Sequence, residues 1–215
     1  MAKRFPYDIL ADPKVLAGFK GWSEEVYRDF LAQQRAEISE AEFRAKYQDI
    51  QAILIVDMTG FTESAMNEGI VASLLRIFDV QKVCAPVLMA HGANHIRAFA
   101  DDLTATFSES HRALDAALEI HDRVRAFNNS DMAMENPAEC CIGLGFGPVL
   151  RIGPDNAMGD EMNRASKLGE DTAKGGETLL TEAFFAEVKT RSDCRFEPRG
   201  HSELPFPFYA AKRGG

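Results

Sequence analysis

The sequence predicts an α+β domain in which helices lie on one face of a largely antiparallel sheet, and three observations predict it. A run of mostly branched apolar residues, Ala52–Val56, ends on an acid, Asp57, and a glycine turn, as a fully covered strand does. A long stretch of helical spacing follows, and after it two alternating arms that read as a hairpin. A second amphipathic helix and another apolar strand complete the order strand, helix, hairpin, helix, strand, that of a ferredoxin-like βαββαβ layer.

Residues 1–48 differ in character from the rest and read as a helical extension preceding a domain over residues 49–215. Helical stretches run over Trp22–Gln34 and Glu40–Tyr47, the second opened by a capping box of Ser39 and Glu42. Val26, Phe30, Leu31, Phe43 and Tyr47 give them narrow apolar stripes, fit to pack on the domain or a partner chain. After the Asp57 strand, helical spacing runs from about Glu63 to Met89, with Gly69 and Pro86 expected to break or bend it. His95–Ala100 and Leu103–Phe107 are the hairpin arms, with Asp101–Asp102 at the tip. Ser110–Phe127 forms the next helix, and Cys140–Phe146 and Val149–Ile152 are two short strands around Gly147-Pro148. Gly159–Leu168 is helical, Glu177–Thr181 a strand, Glu182–Val188 a short helix, and Cys194–Ala211 a terminal hairpin.

Composition narrows the functions open to such a fold. With 215 residues, 46% hydrophobic and 27% charged, the chain has the balance of a soluble globular protein. Its net charge of -9 excludes a broad grip on nucleic acid but leaves room for one metal-bound nucleotide. Cys84, Cys140, Cys141 and Cys194 show no C-x-x-C spacing and read as thiols of a reducing compartment, which implies a cytoplasmic location. The start, Met1–Pro6, lacks the apolar stretch of a signal peptide, and charges interrupt the greasiest segment, so no membrane span is expected. The five histidines are scattered without metal-ligand spacing, and no Ser-His-Asp or Cys-His arrangement stands out.

The chemistry-bearing residues gather in three motifs: Asp57-Met-Thr-Gly-Phe-Thr62, Arg97-Ala-Phe-Ala-Asp101 running on to Phe107, and Gly159-Asp-Glu-Met-Asn163-Arg-Ala-Ser-Lys167-Leu168. Read from the residues alone, Asp57 is an acid aimed from a strand end. Thr59, Gly60, Phe61 and Thr62 offer backbone N–H groups to phosphate oxygens. In this order and spacing, over residues 50–211, the motifs resemble those of class III nucleotidyl cyclases, and the fold expected is then a cyclase homology domain with extra C-terminal strands. The resemblance implies that Asp57 and Asp101, with the Met58 carbonyl, hold two divalent metal ions, Mn2+ or Mg2+. Two such ions suit attack of a ribose 3'-hydroxyl on the α-phosphate with loss of pyrophosphate. It implies that the turn Thr59–Thr62 lies under the triphosphate, that Asn163 orients the ribose, and that Lys167 stands where the family has a transition-state arginine. Lysine keeps the charge and loses the forked geometry, and Arg164 is a substitute only if the helix is rotated. Arg199 aligns loosely with a phosphate-binding lysine. Asp102 is the alternative second ligand, its other reading being a solvated turn acid.

The resemblance further implies a homodimer with active sites at the subunit interface, Asp57 and Asp101 of one chain facing Arg97, Asn156, Asn163 and Lys167 of the other. Arg97 and Asn156 match neither purine code at the base-reading positions. Arg97 offers only donors, which suits the two carbonyl oxygens of uracil better than the mixed edge of cytosine. The build resembles the pyrimidine cyclases of bacterial Pycsar anti-phage systems, which implies UTP as substrate and cyclic UMP as a messenger read by a separate effector. Tyr47 and Ile50 are either a wall of the base pocket or core. A cytidylate or adenylate cyclase, a degenerate nucleotide-binding domain, and a dimerising module built on the first 48 residues are the alternatives.

Overall fold

The computed structural model describes residues 7–59, 66, 69–131, 137–153, 157–199 and 204–214. The chain divides into two compact units, Met1–Asp49 with Leu150–Met158, and Ile50–Val149 with Gly159–Gly215.

In the first unit three helices follow one another, α1 Pro13–Ala17, α2 Glu24–Gln34 and α3 Glu40–Tyr47. Each starts where a side-chain oxygen meets the free N–H groups of the first turn: Asp12, Ser23 and Ser39. The capping box of Ser39 and Glu42 is complete. Val26, Phe43 and Ile152 form the unit's core, with Trp22, Phe30, Ile38, Tyr47 and Leu150 packed on it. Phe30 stacks on Phe43 at 5.1 Å between ring centroids. Tyr47 packs against Phe43 and donates its hydroxyl to Asp29 at 2.7 Å, so it is core of the helical unit.

The second unit carries most of the sheet. From β1 on, the elements are β1 Gln48–Met58, α4 Ile70–Ala90, β2 His95–Phe99, β3 Asp102–Phe107, α5 Ser110–Asn128 and β4 Cys140–Arg151, followed by β5 Ala157–Met158, which with the last two residues of β4 falls in the first unit, and then α6 Asp160–Asp171, β6 Thr178–Thr181, α7 Glu182–Val188, β7 Cys194–Arg199 and β8 Phe208–Arg213. The first six are the expected βαββαβ order. The strands lie β2-β3-β1-β4-β6-β8-β7, with the two-residue β5 paired to the end of β4. β1 runs antiparallel to β3, and β4 parallel to β6. With neighbours on both sides, β1 is buried from Gln51 to Val56, which is why its sequence is continuously apolar over Ala52–Val56.

Alternation along the strands sorts residues onto two faces. Ala52, Leu54, Val56 and Met58 of β1, Leu103, Ala105 and Phe107 of β3, and Cys140, Ile142 and Leu144 of β4 share one core with α4, α5 and α7. Ile53, Ile55 and Asp57 point to the opposite face, as do Gly143, Gly145 and Gly147. That face is where α6 lies, its Ala165 carbonyl so close to Gly143 that a Cβ there would come within 2.0 Å.

The architecture corrects four sequence expectations. Helices cover both faces, because alternate glycines on β4 leave room for α6 to rest on the bare strand. β4 is one strand through Gly147-Pro148, since Pro148 sits on its exposed side. α4 runs unbroken through Pro86, whose ring faces solvent, where water can satisfy the carbonyl it frees. The hairpin tip is Ala100-Asp101, and Asp102 belongs to β3, paired with Phe99. Short α1 and two-residue β5 were below what periodicity reveals. Among the described residues no helix is long and apolar enough to cross a membrane.

Candidate active site

The register of β1 and β3 places the acids. Val56 faces Leu103 on the core side, so one step along the pair Asp57 faces Asp102 on the α6 side. The two carboxyl groups are close enough to perturb each other. Burial pushes Asp57 up to about 7, helped first by Asp102 and then by the charge of Asp101. Asp102 is raised as well, first by burial and then by the charge of Glu170 on α6, while Asp57 beside it acts the other way. Asp101 stands at the tip, close enough for its charge to raise both. Its backbone neighbour Ala100 adopts the left-handed φ of 50°, costing about 1 kcal/mol in a non-glycine residue.

Arg97 sits on β2 opposite Thr104, on the same face as Phe99 and Asp102. Its guanidinium lies 5.1 Å over the Phe99 ring, and its charge favours the ionised Asp102. Met58 is buried in the core, and its N–H donates to the Asp57 carboxylate. Thr59 departs from expectation: its N–H and its hydroxyl both donate to the Glu139 carbonyl, at 3.1 and 3.2 Å, so neither is turned toward phosphate. Gly60, Phe61, Thr62 and Asn156 lie outside the described residues.

Asn163 and Lys167 occupy the exposed side of α6, four residues apart, with Lys167 paired to Asp171. Arg164 is turned to Glu161 at 2.9 Å and to the Phe206 ring. Arg199 pairs with Glu177 at 3.0 Å from β7, a strand separated from β1 by β4, β6 and β8. Within one chain, then, Asp57, Asp101, Asp102 and Arg97 come together, while Lys167 and Arg199 hold other partners and Asn163 is exposed. Ile50, at the start of the second unit, is half exposed.

Two features of the site were not found by sequence reasoning. Glu161 is buried and accepts from Thr181 at 2.6 Å and Arg164 at 2.9 Å, which fastens α6 to β6. The alternation Gly143-Leu-Gly145-Phe-Gly147 was the available signal for a helix resting on the strand. Cys141, beside the acids, donates its thiol to the Ala173 carbonyl at 3.1 Å and is pushed up to about 12 by burial and the Asp57 charge, so it is no nucleophile.

The architecture has close solved counterparts. The adenylyl cyclase CyaB from P. aeruginosa superposes with a TM-score of 0.68 at 16% identity, over 78% of this chain and 96% of that one. The fold is that of cyclase catalytic domains. A rhodopsin-guanylyl cyclase core with converted specificity, in complex with ATPalphaS, matches with a TM-score of 0.66 at 17% identity over 78% of this chain and 97% of its own. The guanylate cyclase domain of RhGC from Catenaria anguillulae, in complex with GTP, matches at 0.64 and 17% identity, over 79% of this chain and 98% of its own. No family model and no curated protein matches the sequence.

Proposed function

We propose that the chain is a homodimeric nucleotidyl cyclase converting UTP to 3',5'-cyclic UMP and pyrophosphate, a cytoplasmic messenger for anti-phage defence read by a separate effector. The observation that carries the reading is the pair of facing carboxyl groups, Asp57 and Asp102, with Asp101 beside them, at a strand end of a cyclase fold. Among the described residues no three His, Cys, Asp or Glu side chains gather at metal-binding spacing. The pair nevertheless fits a divalent ion. Facing, half-buried carboxyl groups are the hard, anionic oxygen set that Mg2+ or Mn2+ takes, and a cation would offset the repulsion between them. Asp57, Asp101 or Asp102, and the Met58 carbonyl would hold the ions. When bound, such ions supply positive charge to the ribose 3'-oxygen and to the leaving pyrophosphate.

The reaction joins the 3'-oxygen to the α-phosphorus, breaks the bond from that phosphorus to the β-phosphate bridging oxygen, and releases one proton. The chain's own work is placement and charge. Arg97, braced on Phe99, presents donors to the carbonyl oxygens of uracil, with Asn156 as the second base-reading residue. Asn163 orients the ribose and Lys167 faces the charged transition state, and these two, like Arg97 and Asn156, come from the second subunit, Asn163 and Lys167 standing on the outward side of α6 in their own chain. Gly60, Phe61 and Thr62 lie under the triphosphate, and Arg199 takes a phosphate oxygen on release from Glu177. A second copy also gives cover to the exposed apolar side of α4, where Ile70, Val71, Leu74, Leu75 and Phe78 are each more than half exposed.

The test is incubation with ATP, GTP, CTP and UTP separately in Mn2+, with products resolved by chromatography. Cyclic UMP from UTP is expected. Consumption of ATP alone refutes the pyrimidine assignment, and no product from any of the four refutes the cyclase.

A further inference from the structure

The glycines of β4 give α6 a bare strand to lie on, and a bare strand by itself has no side chains to fix how a helix is turned about its own axis. We propose that Glu161 is a positioning residue of the site: its buried carboxylate sets the rotation of α6, so that Asn163 and Lys167 face outward to the second subunit while Arg164 is held off that side. The inference rests on the cyclase reading, in which Lys167 meets the charged transition state, and adds the residue that aims it.

The contacts of one side chain carry it. Glu161 is 7% exposed and lies against β4, where glycines make its place: a Cβ on Gly147 would stand 2.9 Å from its Cγ, and one on Gly145 2.6 Å from its main-chain oxygen. Its Oε2 accepts from the Thr181 hydroxyl at 2.6 Å and from the Phe146 N–H of β4 at 3.4 Å. Thr181 Oγ1 in turn accepts from the Phe184 N–H in the first turn of α7, at 3.2 Å, so its proton is committed to Glu161 and the bond has a fixed direction. Oε1 of Glu161 takes Arg164 at 2.9 Å, and the same guanidinium lies 5.5 Å from the Phe206 ring centroid. The other buried residues of α6, Ala165, Leu168 and Gly169, have no polar side-chain atom, and apolar contact is non-directional. Residues three apart on a helix stand about 60° apart around it, so a turn of that size carries Arg164 to the bearing Lys167 now has. The bonds of Glu161 to Thr181 and Phe146 oppose that turn.

Two measurements on the full chain test it, one of them without turnover. Spin labels at Lys167→Cys on α6 and Arg123→Cys on α5, both exposed positions, give a distance by double electron–electron resonance, in a Cys194→Ser background because Cys84, Cys140 and Cys141 are buried. Glu161→Ala is expected to move that distance by about 5 Å, the arc of such a turn at the radius of a helix. Glu161→Gln, which keeps an oxygen for Thr181, is expected to leave it in place. With Lys167 present, Glu161→Ala should lower kcat for cyclic UMP about ten- to a hundredfold with KM for UTP unchanged, and Glu161→Gln should restore most of it. In a Lys167→Ala chain the same substitution should cost less than about twofold, because nothing is left to aim. Circular dichroism checks folding, and Glu161→Met, of similar length and without the carboxylate, is the second variant if Glu161→Ala fails to fold. An unmoved label distance overturns the inference whatever the activity. Losses of kcat that multiply in the double variant overturn it too and leave the cyclase reading standing. A chain that makes no cyclic nucleotide yet shows the moved distance upholds the seating by Glu161 while the cyclase reading falls.

Discussion

At the scale of single residues, the clearest titration outside the acids is that of His121. It lies on α5 beneath β6, sharing a 2.9 Å hydrogen bond with Thr178. Burial pushes the imidazole down to about 4, with Arg125 adding to the shift and Asp122 and a backbone bond to Glu177 opposing it. An unfolded imidazole takes its proton near 6.5, so below that pH the unfolded chain binds a proton the folded chain refuses. The stability is therefore whole above pH 6.5 and lost as pH falls toward 4, by on the order of 3 kcal/mol from this one group. His121→Gln keeps an amide for Thr178 and does not titrate. Urea midpoints measured across that range are expected to fall less steeply for the variant than for the unsubstituted chain, and parallel slopes would show that His121 does not drive the loss. The sequence made the Asp57 end of β1 legible because a covered strand must be apolar until it reaches solvent. It did not reveal which of Asp101 and Asp102 faces Asp57, since that depends on a one-residue register that motif spacing leaves open.

At the scale of elements, α6 is where sequence and structure part most. Its helical pattern was plain, and so was its exposed polar side carrying Asn163 and Lys167. The surface it rests on was not, because helix periodicity says which side is buried and nothing about against what. Gly143 and Gly145 decide it. A Cβ on Gly143 would meet the Ala165 carbonyl at 2.0 Å and the Gly169 nitrogen at 2.6 Å, main-chain atoms that yield only if the helix moves. A Cβ on Gly147 would meet the Glu161 Cγ at 2.9 Å, a side-chain atom that can turn aside. Gly143→Ala is thus expected to cost about 1–3 kcal/mol in urea unfolding and Gly147→Ala less. Equal costs would mean that α6 is not seated on the strand as described. The unbroken β4 and α4 follow the same logic. Pro148 and Pro86 both lie on exposed sides, and exposure, unlike residue identity, cannot be read along the chain.

At the scale of the whole molecule, the division of the candidate catalytic residues is the property to explain. Asp57, Asp102 and Arg97 meet on β1, β3 and β2, while Lys167 is paired outward with Asp171 and Asn163 is exposed. If each active site takes its acids from one subunit and Lys167 from the other, two inactive variants must repair each other. Asp57→Ala removes an acid and Lys167→Ala removes the facing cation, and each alone is expected to make little cyclic UMP. Mixed in equal amounts and allowed to exchange subunits, half the dimers contain one of each chain. Every mixed dimer then holds one site with both defects and one with neither, so activity should recover to about a quarter of the unsubstituted level. Sites complete within one chain cannot recover by mixing, so continued inactivity of exchanged dimers, with sedimentation confirming that the chains are paired, would place Lys167 on the same subunit as the acids it serves.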